Sequence, residues 1–347
     1  MTFSLDRTVG ALDPGDMAAA LDLAFEVAAH DAVPAVSEAF LQALITGDPA
    51  VTHLLAWNGH QLVGYGQIDG PAVSAELAVL PSQRRYGVGR GMIENCLKQT
   101  PDLRFWAHGD LPSARATADV MGLVAVRELW QMTASLPPEF AANQTPPPGD
   151  LRWRAFQPGR DEAAWLALNA EAFTAHPEQG RITQADLAWR MKQDWFDPEG
   201  IILAEAAATA DSATPAGPAA PADPVTPADP VTPADSATPA DPATPADPAT
   251  PAGPVTPADP GRLVGFHWTK ISGQVGEVYA IGVHPDWQGH GLGTALLKRG
   301  LEHLARNGIE QVELYVEGNN VHALATYQRH GFKLSRRHVQ YAAGAQD

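Results

Sequence analysis

Three glycines at alternate positions, Gly289, Gly291 and Gly293, follow the apolar run Val278 to Val283 and a proline at 285. Residues without a Cβ let backbone N–H groups approach a ligand closely. An amphipathic pattern opens at Leu292, so the positive end of a helix points at the same place. A tight turn also uses glycine, but one turn rarely needs three. The arrangement reads as an anion cradle, with a pyrophosphate as its natural guest. A Walker loop requires Gly-x4-Gly-Lys-Ser/Thr, and the dinucleotide fingerprint requires Gly-x-Gly-x-x-Gly with an acid about 20 residues on; neither spacing occurs. Glu277 stands at the entry of the same apolar run. There a carboxylate could accept a proton from an amine, directly or through water; otherwise it is a strand-end charge in solvent.

The elements that must hold these groups occur twice. AELAVLPSQRRYGVGRGMIENCL, from Ala75 to Leu97, and GEVYAIGVHPDWQGHGLGTALLKRGL, from Gly276 to Leu301, share one order: an acid, an apolar strand, a proline, a Gly-x-Gly loop and a helix. Strand-like pairs precede each, and LRFWAHG or QVELYVEG follows. The chain reads as two copies of one α/β domain with a mixed sheet, 1–140 and 151–347, joined at a Pro-rich linker, 141–150. Strand alternation predicts Glu277, Tyr279, Ile281 and Val283 on one face.

Between the strand-like GIILAEA and GRLVGFHWTKI lies residues 206–260, with six unbroken hexads of the type PVTPAD from Pro224 to Asp259. The segment has no aromatic, Lys or Arg, so it cannot bury enough surface to offset its ordering entropy, and its prolines favour extended polyproline II. It is expected to be a disordered insert in a hairpin of the second domain, either a tolerated expansion or a partner-binding arm.

Composition closes other routes. With 347 residues and a formal charge of -17, the chain is a poor candidate for nucleic-acid binding, which rests on Lys and Arg. No apolar run approaches the ~20 residues of a membrane helix, and the N-terminus lacks a signal pattern, so a cytoplasmic protein without membrane contact is expected. Cys96 alone excludes an internal disulfide and reads as a buried small hydrophobe. The histidines form no ligand motif, so no metal is expected. A monomer is expected.

The loop Gln/Arg-x-x-Gly-x-Gly after Val-x-Pro, between strand and helix and present twice, resembles the acetyl-CoA pyrophosphate loop of the GNAT N-acetyltransferases. NNVHALATYQRHGF, Asn319 to Phe332, resembles that family's closing motif. The resemblance implies acetyl-CoA as acetyl donor. In the second half it would be held by Ile281, Gly282 and Val283, by Gln288, Gly289, His290, Gly291, Leu292, Gly293 and Thr294, and by Asn320, Val321, His322, Ala323, Leu324 and Ala325 along the pantetheine arm. Tyr327 is implied as the acid for the departing thiolate; by residue type alone it is a packed aromatic. In the first half the corresponding positions are Leu77, Ala78, Val79, Arg85, Tyr86, Gly87, Val88, Gly89 and Arg90. That half departs from the pattern at Tyr86 and has no tyrosine before Met121-Gly122-Leu123. It either binds a second acetyl-CoA or only keeps the fold, and the chemistry is expected in the second half.

The phrases FWAHGDLPSARATA, HPEQG, WFDPEG, GFHWTK and GEVYAIGV are together similar to the mycothiol synthases. These tandem GNAT enzymes acetylate the cysteinyl amine of cysteinyl-glucosaminyl-inositol. That resemblance implies Glu277 as the amine-recognising base, and Glu38, Glu178, Lys270 and Tyr315 as further substrate contacts. Taken singly, each is a surface charge or a packed tyrosine. Glu38 belongs to the first half, so its use would make one pocket from both. Two other readings stay open: a different amine, such as a peptide N-terminus or an aminoglycoside, or a non-catalytic acetyl-CoA sensor or scaffold.

Overall fold

The runs IILAEA and LVGFHWT are buried on both faces, as the inner strands of a covered sheet must be. In the computed structural model, which describes residues 3–174, 177–206 and 261–344, they pair antiparallel from Ile201↔Trp268 to Glu205↔Leu263. The hexad insert expected between them lies outside the described residues.

The first half comprises β1 (Ser4–Val9), α1 (Pro14–Asp31), α2 (Glu38–Thr46), β2 (Val51–Asn58), β3 (Gln61–Asp69), β4 (Ser74–Val79), α3 (Val88–Gln99), β5 (Arg104–Ala107), α4 (Pro112–Met121) and β6 (Leu123–Ser135). The second follows the same plan with one additional short helix. It comprises β7 (Leu151–Ala155), α5 (Glu162–Ala172), α6 (Pro177–Gly180), α7 (Gln184–Arg190), β8 (Ile201–Ala206), β9 (Leu263–Ser272), β10 (Val275–Val283), α8 (Leu292–Arg306), β11 (Gln311–Glu317), α9 (Val321–Arg329) and β12 (Lys333–Ala343).

The twelve strands make one sheet in the order β1-β2-β3-β4-β5-β12-β6-β11-β10-β9-β8-β7. The closing strands are exchanged. β12 pairs with β5 of the first half at Val339↔Ala107, and β6 pairs with β11 of the second half from Gln311↔Ser135 to Glu317↔Leu129. The linker is strapped to α8, where Thr145 N–H donates to the buried Glu302 Oε1 at 2.9 Å.

Each half contains one parallel pair, and each pair ends early. β10 meets β11 only from Val275↔Gln311 to Val278↔Leu314, and β4 meets β5 only from Ser74↔Arg104 to Glu76↔Trp106. Beyond these points Tyr279–Val283 and Leu77–Val79 leave the parallel ladder, so the paired strands part at the C-terminal end of each central strand.

The register of β10 against β9 shifts between Val278 and Ala280. This bulge corrects the expectation from simple alternation. Glu277 lies opposite Lys270, and Tyr279 packs on the Trp195 and Trp268 side, whereas Ile281 and Val283 pack with Leu292 and Leu296 of α8. One extra residue in a strand re-aims everything after it. The two sets therefore serve opposite faces of the sheet.

Leu297, Leu301 and Leu304 of α8 fill one face of the second half, and Trp165, Phe266 and Trp268 fill the other. Burial of each such side chain contributes roughly 1.5–3 kcal/mol.

Because β12 lies between β5 and β6, neither half completes its own sheet. Residues 1–140 or 141–347 produced alone are expected to aggregate through the open edge, and co-expression of the two is expected to give a soluble 1:1 complex. Size-exclusion chromatography checks this; a monomeric, folded 1–140 would contradict it.

Candidate active site

Gly289 and Gly291 take φ of 79° and 80°, a region that favours glycine, and Gly291 caps the start of α8. The first turn of α8 has no side-chain cap, whereas α1, α2, α7 and α9 are capped by Asp13, Ser37, Thr183 and Asn320. The leading N–H groups of α8 are thus left for a ligand. A Cβ built on Gly291 would meet nothing within 4 Å, so the space in front of the helix is open. Gln288 Nε2 ties the loop to Val283 O at 3.2 Å. These features fit a pyrophosphate.

The first half repeats this geometry. Gly87 has φ of 86°, its Cβ would also meet nothing within 4 Å, and α3 likewise has no side-chain cap. Arg84 Nε holds Val79 O at 3.1 Å, the counterpart of the Gln288 contact, while its guanidinium grips Asp31 at 2.9 and 2.7 Å. Arg85 takes φ of 71° where the second half has glycine, which is a strained position for a side chain. Tyr86 stands exposed beside it. A cavity of about 810 Å³ opens here, lined by Leu77, Ala78, Val79, Arg85, Gly87 and Gly89 among others.

Among the expected cofactor residues, Ala78, Val88, Leu292 and Leu324 have their side chains buried in the core, so only their backbones are available to a ligand. Asn320 caps α9 by accepting from Ala323 N–H at 3.1 Å.

The acids converge from both halves. Lys270 on β9 donates to Glu38 Oε2 on α2 at 2.7 Å, across 232 residues of chain. Its ammonium also lies 4.6 Å from the centre of the Trp195 ring and 5.1 Å from that of Tyr279, and Tyr279 OH accepts from Arg190 Nε at 2.9 Å. Glu277 lies opposite Lys270 on one side and Glu313 on the other. Burial pushes the Glu277 carboxyl up to about 7; Lys270 pulls it back, and Glu313 and Glu38 add to the rise. The second oxygen of Glu38, Oε1, is buried without a hydrogen-bond partner among the described residues. A buried carboxylate oxygen left this way can accept a further donor, from water or from a ligand.

Tyr315 lies on β11 opposite Gln131, its ring 5.5 Å from His338, and burial together with Glu313 and Glu277 raises its pKa. Tyr327 packs edge-on against Phe332 at 5.8 Å, and burial pushes its phenol up to about 12. Glu178 falls in α6, and its side chain lies outside the described residues. Glu313 and Arg190 escaped the sequence reading, and Trp195, the first residue of WFDPEG, read as a packing or rim residue. Strand register, ring contact and a hydrogen bond to Tyr279 bring them to the site.

Among the described residues, no group of three His, Cys, Asp or Glu could hold a metal, and no helix is long and apolar enough to cross a membrane.

The Acetyltransferase (GNAT) family profile matches residues 232–332. A tandem GNAT protein from the clavulanic acid biosynthesis pathway superposes with TM-score 0.61 at 19% identity, covering 100% of both chains. A GCN5-related N-acetyltransferase from Sphaerobacter thermophilus gives 0.57 at 21%, covering 98% of this chain and 94% of that one. At such identities these likenesses show the fold, a tandem GNAT architecture. A mycothiol acetyltransferase of Cellulomonas flavigena is 37% identical over 362 aligned positions, 97% of this chain and 88% of that protein. One from Streptomyces avermitilis is 39% identical, covering 96% and 94%. The chain belongs to the mycothiol acetyltransferase family. It is thus an acyltransferase of the GNAT type, and GNAT acetyltransferases generally use acetyl-CoA.

The raised Glu277 carboxyl has a consequence for stability. The folded chain binds this proton up to about pH 7, whereas an ordinary glutamate releases it near 4.5. The folded state therefore loses stability through this group as pH rises from 4.5 to 7, and the loss is complete above 7. Glu277→Gln is expected to raise the Tm at pH 8 and to leave it nearly unchanged at pH 4.5. Thermal melts across that range check the sign.

Proposed function

We propose that this chain transfers the acetyl group of acetyl-CoA to the cysteinyl amine of cysteinyl-glucosaminyl-inositol, giving mycothiol, and that the second half performs the reaction. The observation that carries this reading is the junction of Glu277, Lys270 and Glu38. It offers a base matched to an amine and a buried carboxylate oxygen able to accept a further donor.

A free α-amino group has a pKa of about 7.7, so a base near 7 can take its proton with little cost at neutral pH. Glu277 takes this role. Glu38 and Lys270, with Tyr315 and Glu178, hold the polar remainder of the substrate. Acetyl-CoA supplies the thioester carbonyl that the amine attacks. Its pyrophosphate fits the bare N-terminus of α8 and the Gln288–Thr294 loop. Its pantetheine arm fits where the strands part at Ile281, Gly282 and Val283, beside the start of α9 from Asn320 to Ala325. A backbone N–H of that free edge would stabilise the developing oxyanion, a contribution often worth about 3 kcal/mol. Tyr327 stays protonated at neutral pH and delivers its proton to the departing thiolate. The first-half loop, Leu77–Val79 and Arg85–Arg90, has the features to hold a second acetyl-CoA. The reading takes the protein as a cytoplasmic monomer that needs no metal.

The test is CoA release from acetyl-CoA with cysteinyl-glucosaminyl-inositol, beside peptides, aminoglycosides and polyamines. Selective turnover of the cysteinyl substrate is expected. Turnover of another amine alone would discard the substrate, and binding without turnover would leave a sensor. Glu277→Gln and Tyr327→Phe should each lower kcat by about 10²–10⁴. The kcat/KM of the wild type should fall tenfold per pH unit below about 7, as Glu277 takes up its proton. Gly291→Ala should raise the KM for acetyl-CoA at least tenfold, since its methyl enters the open space before α8. Gly308→Ala, also at positive φ, should lower only the Tm.

A further inference from the structure

Each half carries a glutamate at the same point of its central strand. Glu277 lies between Lys270 on β9 and Glu313 on β11; Glu76 lies between Gln67 on β3 and Trp106 on β5. Their settings differ. Glu277 is partly exposed, and Glu76 is 2% exposed. Glu76 is enclosed by protein partners: Oε2 accepts the Ser37 backbone N–H at 2.6 Å and lies 3.2 Å from His108 Nε2. Burial disfavours a charge on His108, but the Glu76 carboxylate outweighs it and holds the His108 pKa above its usual value. The far side of that ring, Nδ1, meets His338 Nδ1 at 3.2 Å. His338 is kept neutral by burial and by His108, with a pKa near 4, and so serves as the acceptor.

A carboxylate closed in this way cannot reach a substrate. What it grips is informative. Ser37 is the N-cap of α2, and the next residue is Glu38, whose side chain crosses to Lys270 in the other half. A charge-assisted bond of 2.6 Å at a helix N-terminus fixes both the position and the direction of that first turn.

We propose that Glu76 is a positioning residue for the amine site of the second half. It holds the start of α2, through Ser37, where Glu38 meets Lys270 beside Glu277. The first half's strand acid has thus become a strut of the other half's pocket. The inference rests on the reading of Glu277 as the base of an amine acetylation.

The experiment compares Glu76→Leu, which loses both partners, with Glu76→Gln, which keeps an acceptor for Ser37 N–H. Glu76→Leu is expected to raise the KM for the amine about tenfold, with the KM for acetyl-CoA unchanged, and Glu76→Gln to stay within about twofold of wild type. In a Glu38→Ala background, which already has the raised KM, Glu76→Leu should add nothing further. Should Glu76→Leu not fold, Glu76→Asp replaces it, with about threefold expected. An unchanged amine KM, an equal rise in both KM values, or full additivity with Glu38→Ala would overturn the proposal. A readout without turnover separates it from the proposed function. After reductive ¹³C-methylation, the Lys270 resonance, assigned by its loss in Lys270→Gln, should move in Glu76→Leu and not in Glu76→Gln. If the wild type acetylates no amine, the proposed reaction falls, and an unmoved Lys270 signal in Glu76→Leu would still overturn the positioning claim by itself.

Discussion

Every free edge of a β-sheet presents a row of unpaired N–H and C=O groups, and burying such a row without partners costs far more than any single side-chain contact returns. In this chain β5 and β11 each have one inner edge that their own half leaves open. β12 covers the first and β6 the second, and β6 and β12 pair with each other from Lys333↔Thr133 to Ala343↔Leu123. The exchange joins the two halves through backbone hydrogen bonds rather than through a surface that could slide. The relative placement of α2 and β9, and with it the Glu38–Lys270 pair, rests on that joint. So does the contact of Gln42 on α2 with Asp186 on α7, 2.8 Å between Nε2 and Oδ1.

The electrostatics of the pocket follow from this placement. One ammonium, Lys270, serves Glu38 directly and faces Glu277, while Glu313, the third acid, is taken up by Gln131 Nε2 at 2.8 Å. Burial is the main reason that Glu277 retains its proton to about pH 7; Lys270, shared with Glu38, offsets it only in part. Glu38, a residue of the first half, thus adds to the rise that burial produces in the second.

The sequence disclosed what is local. The glycine loops, the helices they open, the flanking strands and the duplication all depend on neighbouring residues and on periodicity, and α3 and α8 start where the loops end. The likeness of GEVYAIGV and GFHWTK to known enzymes pointed to Glu277 and Lys270 before either had a partner. Non-local register was not legible. Nothing in the one-dimensional pattern told that β6 and β12 trade places, or that a bulge at Tyr279 turns Ile281 away from Glu277's face. The His108–His338 contact spans 230 residues; His108 stands within FWAHGDLPSARATA, but nothing in that phrase names His338 as its partner. Glu76 could be read as an acid at the head of a strand, but its enclosure by Ser37 and His108 is a property of packing.

The exchanged strands also bear on how the chain is made. A ribosome releases β5 and β6 early, yet β12, the strand that lies between them, comes after every other strand among the described residues. Roughly 200 residues separate the end of β6 from the start of β12. At typical synthesis speeds that is an interval on the order of 10–40 s. Through that interval the amino-terminal half waits with a gap in its sheet, exposed to nascent-chain chaperones. Vectorial folding, domain after domain, is thereby ruled out by connectivity, and the native sheet closes only after β12 has cleared the exit tunnel.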